Sequence, residues 1–224
     1  MDRPARDPGR DCPLCPRLVA YRDENRAAEP GWFNAPVPSF GDRDGRLLIV
    51  GLAPGRQGAN RTGRPFTGDY AGDLLYPTLL RFGFARGSYG RRPDDGLALV
   101  DARLTNAVRC VPPQNRPERS EIATCNRFLA DELASMARLR AIVALGRIAH
   151  DAVLRALGRR LASAKFAHAA RHDLSDAAPA GAPPRVLALY DSYHCSRYNT
   201  NTGVLTDAMF RDVFAAIRKE LDRR

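Results

Sequence analysis

The sequence predicts an α/β protein, a single-domain three-layer α/β/α sandwich with a central, mostly parallel four-stranded sheet. Short apolar runs with strand composition recur along the chain, and longer stretches of helical character separate them. Strands joined in this way run parallel and carry helices on both faces. A chain of 224 residues, 44% of them hydrophobic, can bury one core of this size.

The element boundaries follow from the same pattern, and Pro77 inside the second helix predicts a kink or a late start there. The predicted strands are 46–51, 103–109, 141–145 and 186–190, with a shorter one at 97–100. The predicted helices are 16–28, 71–83, 118–137, 147–158 and 206–222. We expect residues 1–11 to be disordered, residues 12–224 to form the domain and residues 159–184 to be irregular.

The charge balance favours a nucleic-acid partner without deciding it. The chain has 35 Lys and Arg against 25 Asp and Glu, a net charge of +10, and its only lysines are Lys165 and Lys219. Arginine binds phosphate bidentately and stacks on bases. A genome rich in G and C would also enrich Arg, Ala, Gly and Pro, so charge alone leaves both explanations open.

Neither a secretory signal nor a membrane span is expected. The N-terminus, MDRPARDPGR, has no apolar core. No apolar run approaches the roughly 20 residues that cross a bilayer. We therefore expect a soluble, cytoplasmic protein that acts as a monomer.

Two polar loops follow predicted strands and predict a ligand pocket. The first runs from Gly51 to Asp69 and combines a glycine- and proline-rich turn with basic residues, an aromatic and a carboxylate. The second, Ser192 to Gly203, offers a histidine and several hydrogen-bond donors. Both loops open at the carboxyl edge of a parallel sheet, where such folds bind ligands. This combination of groups suits a flat base held in the pocket, with the phosphate backbone of the nucleic acid bound beside it.

Four cysteines have the pattern of a metal site. Cys12 and Cys15 form C-x2-C, while Cys110 and Cys125 lie far downstream. Four thiolates suit a 4Fe–4S cluster with a structural role. A zinc ribbon would normally show two C-x2-C pairs, which makes zinc the weaker alternative, and ordinary buried thiols are the third. Cys195 has no partner at metal spacing and is interpreted as a packed thiol.

The other histidines give no motif. His168 and His172 are spaced as in H-E-x-x-H but lack the intervening glutamate, so we interpret them as surface or minor-contact residues. His150, on a predicted helix, is interpreted as packed or exposed rather than catalytic. The chain also lacks the P-loop and the G-x-S-x-G elbow.

Three segments, with the four cysteines, point to one family. They are GLAPGRQGANRTGRPFTGD (51–69), TNAVRCVPPQNRP (105–117) and HCSRYNTNTG (194–203). In this order they resemble the uracil-DNA glycosylase superfamily, specifically family 5, the iron–sulfur type b enzymes. The related family 4 has glutamate at the second position of the first segment, where this chain has Leu52. Water activation must then come from another residue.

The resemblance implies an enzyme that excises uracil, and other deaminated or modified bases, from DNA. Phe66 would stack on the extruded base, and Gly51, Leu52 and Ala53 would contact it. Asp69 matches the water-positioning carboxylate. Asn115 matches an asparagine implicated in activity, with Asn106 as the second choice, and His194 would donate a hydrogen bond to the base oxygen. The residues expected at the DNA are Arg56, Arg61, Arg64, Ser196, Arg197, Tyr198 and Asn199.

Other interpretations stay open at this stage. Asp69 could cap the helix that begins near Ala71, Phe66 could be plain core, and His194 could be a satisfied strand-end histidine. The whole chain could be a non-catalytic binder of damaged DNA on the same fold, or an iron–sulfur redox protein. As an enzyme it would be a monofunctional glycosylase, since neither lysine lies in the three segments. We expect such an enzyme to act at the bacterial nucleoid.

Overall fold

The computed structural model describes residues 7–175 and 186–223. Its α-helices are α1 Pro16–Ala28, α2 Ala59–Thr62, α3 Tyr70–Arg81, α4 Arg119–Ser135, α5 Arg147–Ala156, α6 Arg197–Asn201 and α7 Asp207–Asp222. Its strands are β1 Phe40–Gly41, β2 Leu47–Gly51, β3 Ala85–Arg86, β4 Ala98–Leu99, β5 Ala102–Asn106, β6 Ala141–Leu145, β7 Arg171–Asp173 and β8 Ala188–Ser192. Short 3-10 turns lie at Pro113–Asn115 and Leu161–Ser163.

The predicted sheet is confirmed at its centre and has two more strands at its edges. The strand order is β1-β5-β2-β6-β8-β7, and β5, β2, β6 and β8 are all parallel. The edge strands β1 and β7 pair antiparallel, so the sheet has six strands and not the four predicted. Edge strands of two or three residues are too short to show an alternating polar–apolar pattern in the sequence. They are recognised as strands only by their pairing with a neighbouring strand. The small β3–β4 pair forms a second sheet.

Alternating side chains of β2 divide the core into two layers. Leu47 and Ile49 pack with the apolar faces of α3 and α7, whereas Leu48 and Val50 pack with those of α4 and α5. All five residues of β2 and of β6 are buried, which explains the continuous apolar composition of these two strands. The three-layer sandwich is thereby confirmed.

Several boundaries differ from prediction by one or a few residues. Strand β5 ends at Asn106 and not at residue 109. Beyond it, Ala107 N donates to Gly51 O at the end of β2 and Val108 N to Leu52 O in the loop that follows, both at 2.9 Å. Helix α3 starts at Tyr70 and continues through Pro77, so the proline does not delay its start. The second polar loop contains α6.

Parts of two predicted irregular segments fall outside the described residues. Of residues 1–11 only 7–11 are described, and there Arg109 Nη1 donates to Asp7 Oδ1 at 2.7 Å. Of residues 159–184, the last nine lie outside, and the rest contains β7. Within the described ranges, no helix has both the length and the apolar character to cross a membrane.

Candidate active site

The carboxyl ends of the parallel strands open into a cavity of about 330 Å³. Strands β2, β5 and β8 bring to it the loops that begin after Gly51, Asn106 and Ser192. The size falls in the range of small-molecule sites. Its lining residues are Leu52, Ala53, Pro54, Gly55, Ala59, Phe66, Asp69, Tyr70, Ala71, Asn106, Asn115, His194, Ser196 and Arg197. All four residues predicted to be catalytic are among them.

Phe66 forms an aromatic wall of the cavity and is held in an unusual conformation. Its φ is 55°, in the left-handed region that bulky residues rarely adopt, and it is 6% exposed. A Cβ on Gly51 would lie 2.4 Å from Phe66 Cζ and 2.4 Å from Asn106 Oδ1. Only glycine at position 51 therefore lets the ring and the amide approach the strand end together.

Asn106 ends β5 with a buried amide. The residue is 3% exposed, and its Oδ1 has no hydrogen-bond partner in the described part of the chain. A buried acceptor without a partner costs about 1–3 kcal/mol, so such atoms are rare outside functional sites. The cavity gives this oxygen room for a ligand's donor.

Asp69 stands at the N-cap position of α3, but its side chain makes no capping hydrogen bond. Its Oδ1 is buried and has no partner among the described residues. Burial raises the pKa of the Asp69 carboxyl above its ordinary value, although the amides of Gly72 and Ala71 act against this. A Cβ on Gly58 would lie 2.2 Å from Asp69 Oδ2, so the absence of a side chain at this glycine leaves the space that the Asp69 carboxylate occupies. Asp69 therefore occupies the N-cap position of α3 without making the capping hydrogen bond.

His194 lies across the cavity from Phe66. The two ring centroids are 6.2 Å apart with an interplanar angle of 28°. Burial lowers the pKa of His194 to about 4, so the imidazole is neutral at pH 7 and donates from one nitrogen only. The Asn199 amide donates to the His194 carbonyl oxygen at 2.9 Å and fixes the backbone there.

Asn115 approaches from the rim. It ends the 3-10 turn after two prolines, and both Gln114 and Asn115 have left-handed φ values of 55° and 56°. Two adjacent residues in this region are strained, which is typical of loops that present a functional side chain. Asn115 is exposed and still lines the cavity.

The expected DNA-contacting residues divide into two groups. Ser196 and Arg197 line the cavity, with the Arg197 guanidinium 5.4 Å from the Tyr70 ring centroid, and Tyr198 is 74% exposed beside them. Arg61 is exposed. Arg56 lies 5.1 Å from the Trp32 ring centroid and donates to Asn25.

Arg64 lies elsewhere than expected. It is 4% exposed, and its guanidinium donates to both oxygens of Asp95 at 2.8 and 2.7 Å and to Thr67 Oγ1 at 2.7 Å. All three nitrogens are engaged inside the protein, so this side chain is not available to a phosphate. We therefore leave Arg64 out of the DNA-contacting set.

Comparison with known proteins agrees with this geometry. A family model described as the uracil DNA glycosylase superfamily matches residues 38–218. The chain belongs to the uracil-DNA glycosylase superfamily. The expected family and enzyme class, a hydrolase of N-glycosyl bonds, are thereby confirmed.

Named relatives within this superfamily cover most of the chain. A type-5 uracil-DNA glycosylase of Thermus thermophilus is 45% identical over 214 residues, 93% of each chain. One of Mycobacterium leprae is 42% identical over 216 residues, 93% of this chain and 90% of the relative. One of Pyrobaculum aerophilum is 40% identical over 200 residues, 88% of this chain and 83% of the relative.

Four of the five cysteines of this glycosylase line a second cavity, beside the start of α1 and against α4. Cys12, Cys15, Cys110 and Cys125 all face it, and Arg109 N donates to Cys125 Sγ at 3.4 Å. Burial raises the pKa of Cys15 to about 11 and that of Cys110 to about 12, and neighbouring thiols add to both shifts. Without a cation these thiols are protonated at neutral pH, so a bound metal must displace their protons.

The thiol spacing argues against a single zinc ion. Within the described ranges no three of these sulfurs lie within 4.8 Å of one another. Zinc with bonds of about 2.3 Å would hold its ligand sulfurs about 3.8 Å apart. A wider arrangement around one cavity fits a larger metal–sulfur cluster. Family membership is consistent with an iron–sulfur cluster in general.

Sequence reasoning missed five residues of the glycosylase pocket: Pro54, Gly55, Ala59, Tyr70 and Ala71. The first three belong to the glycine-rich loop, whose composition already indicated a pocket. Tyr70 and Ala71 directly follow Asp69, so the first turn of the next helix was the signal that was available.

Proposed function

We propose that this protein excises uracil, and other deaminated or modified bases, from DNA by hydrolysing the N-glycosidic bond, which leaves an abasic site. One observation carries the proposal. A cavity sized for a small ligand joins an aromatic face, Phe66, to two buried oxygens, on Asp69 and Asn106, that have no hydrogen-bond partner in the described ranges, and to a neutral imidazole, His194. A planar base with both donors and acceptors satisfies such a cavity.

Binding begins with extrusion of the nucleotide, which costs a few kcal/mol. Stacking on Phe66 returns about 1–3 kcal/mol. The unpartnered oxygen of Asn106 suits the ring N–H of uracil, and the amide's own N–H groups suit a uracil carbonyl. A base lacking this donor–acceptor edge leaves the Asn106 oxygen unsatisfied and is disfavoured.

Bond cleavage sends the electron pair to the base, which leaves as an anion. Neutral His194 donates to the carbonyl oxygen that gains this charge, and one such donor is worth about 3–4 kcal/mol. The Asp69 carboxylate faces the sugar, where it stabilises the positive charge and accepts a proton as water attacks. Asn115 at the rim contributes an amide to hold that water.

No lysine is among the residues that line the cavity, so none of them supplies an amine for a covalent step. Lys165 and Lys219 both lie outside the cavity lining, so strand cleavage through a Schiff base is not expected. Leu52, which lines the cavity, contributes no polar side chain there. This apolar position supports tolerance of bases other than uracil.

The proposed DNA path runs over the cavity mouth. Ser196 and Arg197 line the cavity, Tyr198 is exposed beside them, and Arg56 and Arg61 are the further proposed contacts, while the Asn199 side chain donates to the His194 carbonyl oxygen. The net charge of +10 supports binding to the phosphate backbone. We expect a monomer acting in the bacterial cytoplasm at the nucleoid.

Cys12, Cys15, Cys110 and Cys125 are the proposed ligands of a structural 4Fe–4S cluster. Bound there, the cluster supplies a cross-link and no reaction step. These residues tie the N-terminal segment to the loop after β5 and to α4. That loop leads directly to Asn115, so the cross-link stabilises one rim of the pocket.

The decisive experiment uses a duplex with a single uracil and a matched duplex with thymine. Incubation followed by alkali should break only the uracil strand, and H194A should abolish the break while retaining affinity for the DNA. Binding of the uracil duplex without alkali-labile sites would overturn the enzyme and favour the non-catalytic binder. A panel of modified bases then defines the specificity.

A further inference from the structure

All four histidines of the chain gather at the end of β8. His194 faces the cavity, and His150, His168 and His172 lie behind it. His150 Nδ1 lies 2.7 Å from Asp191 Oδ1, and His172 Nε2 lies 2.9 Å from Asp191 Oδ2. The sequence predicts surface or minor-contact roles for His168 and His172, but His172 makes a long-range hydrogen bond to Asp191.

The Asp191 group is hydrogen-bonded and not built for a metal. Its three ligand-type atoms fall within 4.8 Å of one another. The nitrogen–oxygen distances of 2.7 and 2.9 Å are hydrogen-bond lengths, whereas metal bonds of about 2.0–2.1 Å would separate tetrahedral ligands by about 3.3 Å. His150 Nε2 faces the Ala164 carbonyl at 3.0 Å, so both ring nitrogens of His150 donate, and an imidazolium pairs with the Asp191 carboxylate.

Asp191 also holds the turn that carries His168. Its carboxylate accepts from Ala167 N at 3.3 Å and its carbonyl from Ala169 N at 2.9 Å, while its own N–H donates to Ala170 O at 3.0 Å. Ala169 has a φ of 63°. A non-glycine residue in this region is strained and persists only where its surroundings dictate the conformation. The residue presented by this clamped turn is His168.

His168 contacts the residue that precedes His194. Tyr193 N donates to His168 Nδ1 at 3.1 Å, and the two rings stack with centroids 4.9 Å apart and an angle of 19°. The imidazole thus holds both the backbone and the side chain of Tyr193. Nδ1 must be unprotonated to accept this bond, and burial, which lowers the pKa of His168, keeps it so.

We propose that His168 is a positioning residue: through Tyr193 it fixes the backbone that aims His194 into the cavity, and the Asp191–His150 pair anchors the turn that carries it. This inference rests on the proposed role of His194. A hydrogen-bond donor must meet a developing oxyanion within a few tenths of an ångström, so support two residues away affects the rate and not the affinity.

The test compares four variants of the full chain. H168A removes the acceptor, H168N restores an oxygen close to the position of Nδ1, K165A truncates an exposed side chain of the same segment outside the Asp191 cluster, and H194A removes the proposed donor. The single-turnover excision rate on a uracil duplex, the Kd for an abasic duplex and the melting temperature are measured for each. H168A should lower the rate by about 10- to 100-fold with an unchanged Kd. H168N should recover most of the rate, and K165A should match the rate of the unaltered chain.

Each result decides one statement. A wild-type rate in folded H168A overturns the inference, as does an H168N variant that is as slow as H168A. If H168A unfolds, H168N alone decides: a near-normal rate supports the positioning role and a slow rate in a folded protein contradicts it. A wild-type rate in H194A instead overturns the proposed role of His194, and any loss in H168A then cannot act through it.

Discussion

Strand β5 carries polar side chains into two different surroundings. Near its middle, Arg103 and Thr105 join a buried cluster around Glu132 of α4. Both Glu132 oxygens are bonded there: Arg103 pairs with one, and Ser39 at 2.7 Å and Arg109 at 3.2 Å with the other. At the end of the same strand, Asn106 has a buried oxygen without a partner among the described residues.

The difference separates stability from function. A buried polar group with all its partners holds neighbouring elements in one arrangement. A buried polar atom without a hydrogen-bond partner destabilises the fold in the absence of a ligand. It is retained where a bound ligand supplies the missing hydrogen bond. Asn106 and Asp69 belong to the second kind and face one cavity, while Glu132 belongs to the first. Substitutions in the two groups should therefore have opposite consequences.

The largest effect is expected for Asp69→Asn. The variant keeps the shape of the side chain but removes the charge that we propose orients water, so the single-turnover excision rate should fall about 10²–10⁴-fold. Because ionising a buried carboxyl with a raised pKa costs stability at neutral pH, the melting temperature should stay equal or rise. Excision and calorimetry on one preparation test both statements. A lowered melting temperature would assign Asp69 to the stabilising group.

Glu132→Gln should produce the reverse pattern. It leaves two buried guanidinium groups, those of Arg103 and Arg109, without the full charge they pair with. Loss of one partner from such a group costs about 3–5 kcal/mol in the free energy of unfolding. The single-turnover excision rate, measured well below the melting temperature, should be unchanged. Asp131→Asn, on the neighbouring and less buried position of α4, is the control and should shift neither quantity.

Sequence patterns were sufficient for the central sheet and for most of the pocket. Two of the four parallel strands, β2 and β6, are short apolar runs, whereas β5 and β8 also contain polar residues, and all four bring their following loops to one edge of the sheet. On that basis the loops that carry Asp69, Asn106 and His194 come together, whereas Asn115 is predicted only from the family resemblance. The composition of the glycine-rich loop indicates a pocket, and the structure shows close approaches there at Gly51 and Gly58.

The rest depends on partners that are distant in sequence. Arg64 looked like part of a solvated basic loop, and only its pairing with Asp95, 31 residues later, buries it. His150 and Asp191 are 41 residues apart, so no local motif joins them. The left-handed φ of Phe66 is equally invisible in a pattern, since propensity argues against it and only the packed surroundings impose it.

The smallest effect, and the finest separation of the two groups, is expected in the pH dependence. Burial raises the pKa of Asp69 above its ordinary 3.8, so the carboxylate takes up a proton, and excision falls, at a higher pH than for an exposed aspartate. Burial alone would also raise the pKa of Glu132, but Arg103 and Arg109 outweigh it and lower the pKa below its ordinary 4.5. The stability that Glu132 contributes is therefore fully present above pH 4.5 and is lost only as the pH falls through the lowered value.

The two shifts have opposite signs, so as the pH falls Asp69 should lose its charge earlier, and Glu132 later, than exposed carboxyls of the same types. Burial lowers the pKa of His194 to about 4, so excision should show no inflection near pH 6.5. Single-turnover rates and circular dichroism across pH 4 to 9 would locate both transitions, and activity should return on neutralisation. In Asp69→Asn the acid limb should vanish from the residual rate. An acid limb that coincides with unfolding would mean that Asp69 is not the group whose ionisation excision requires.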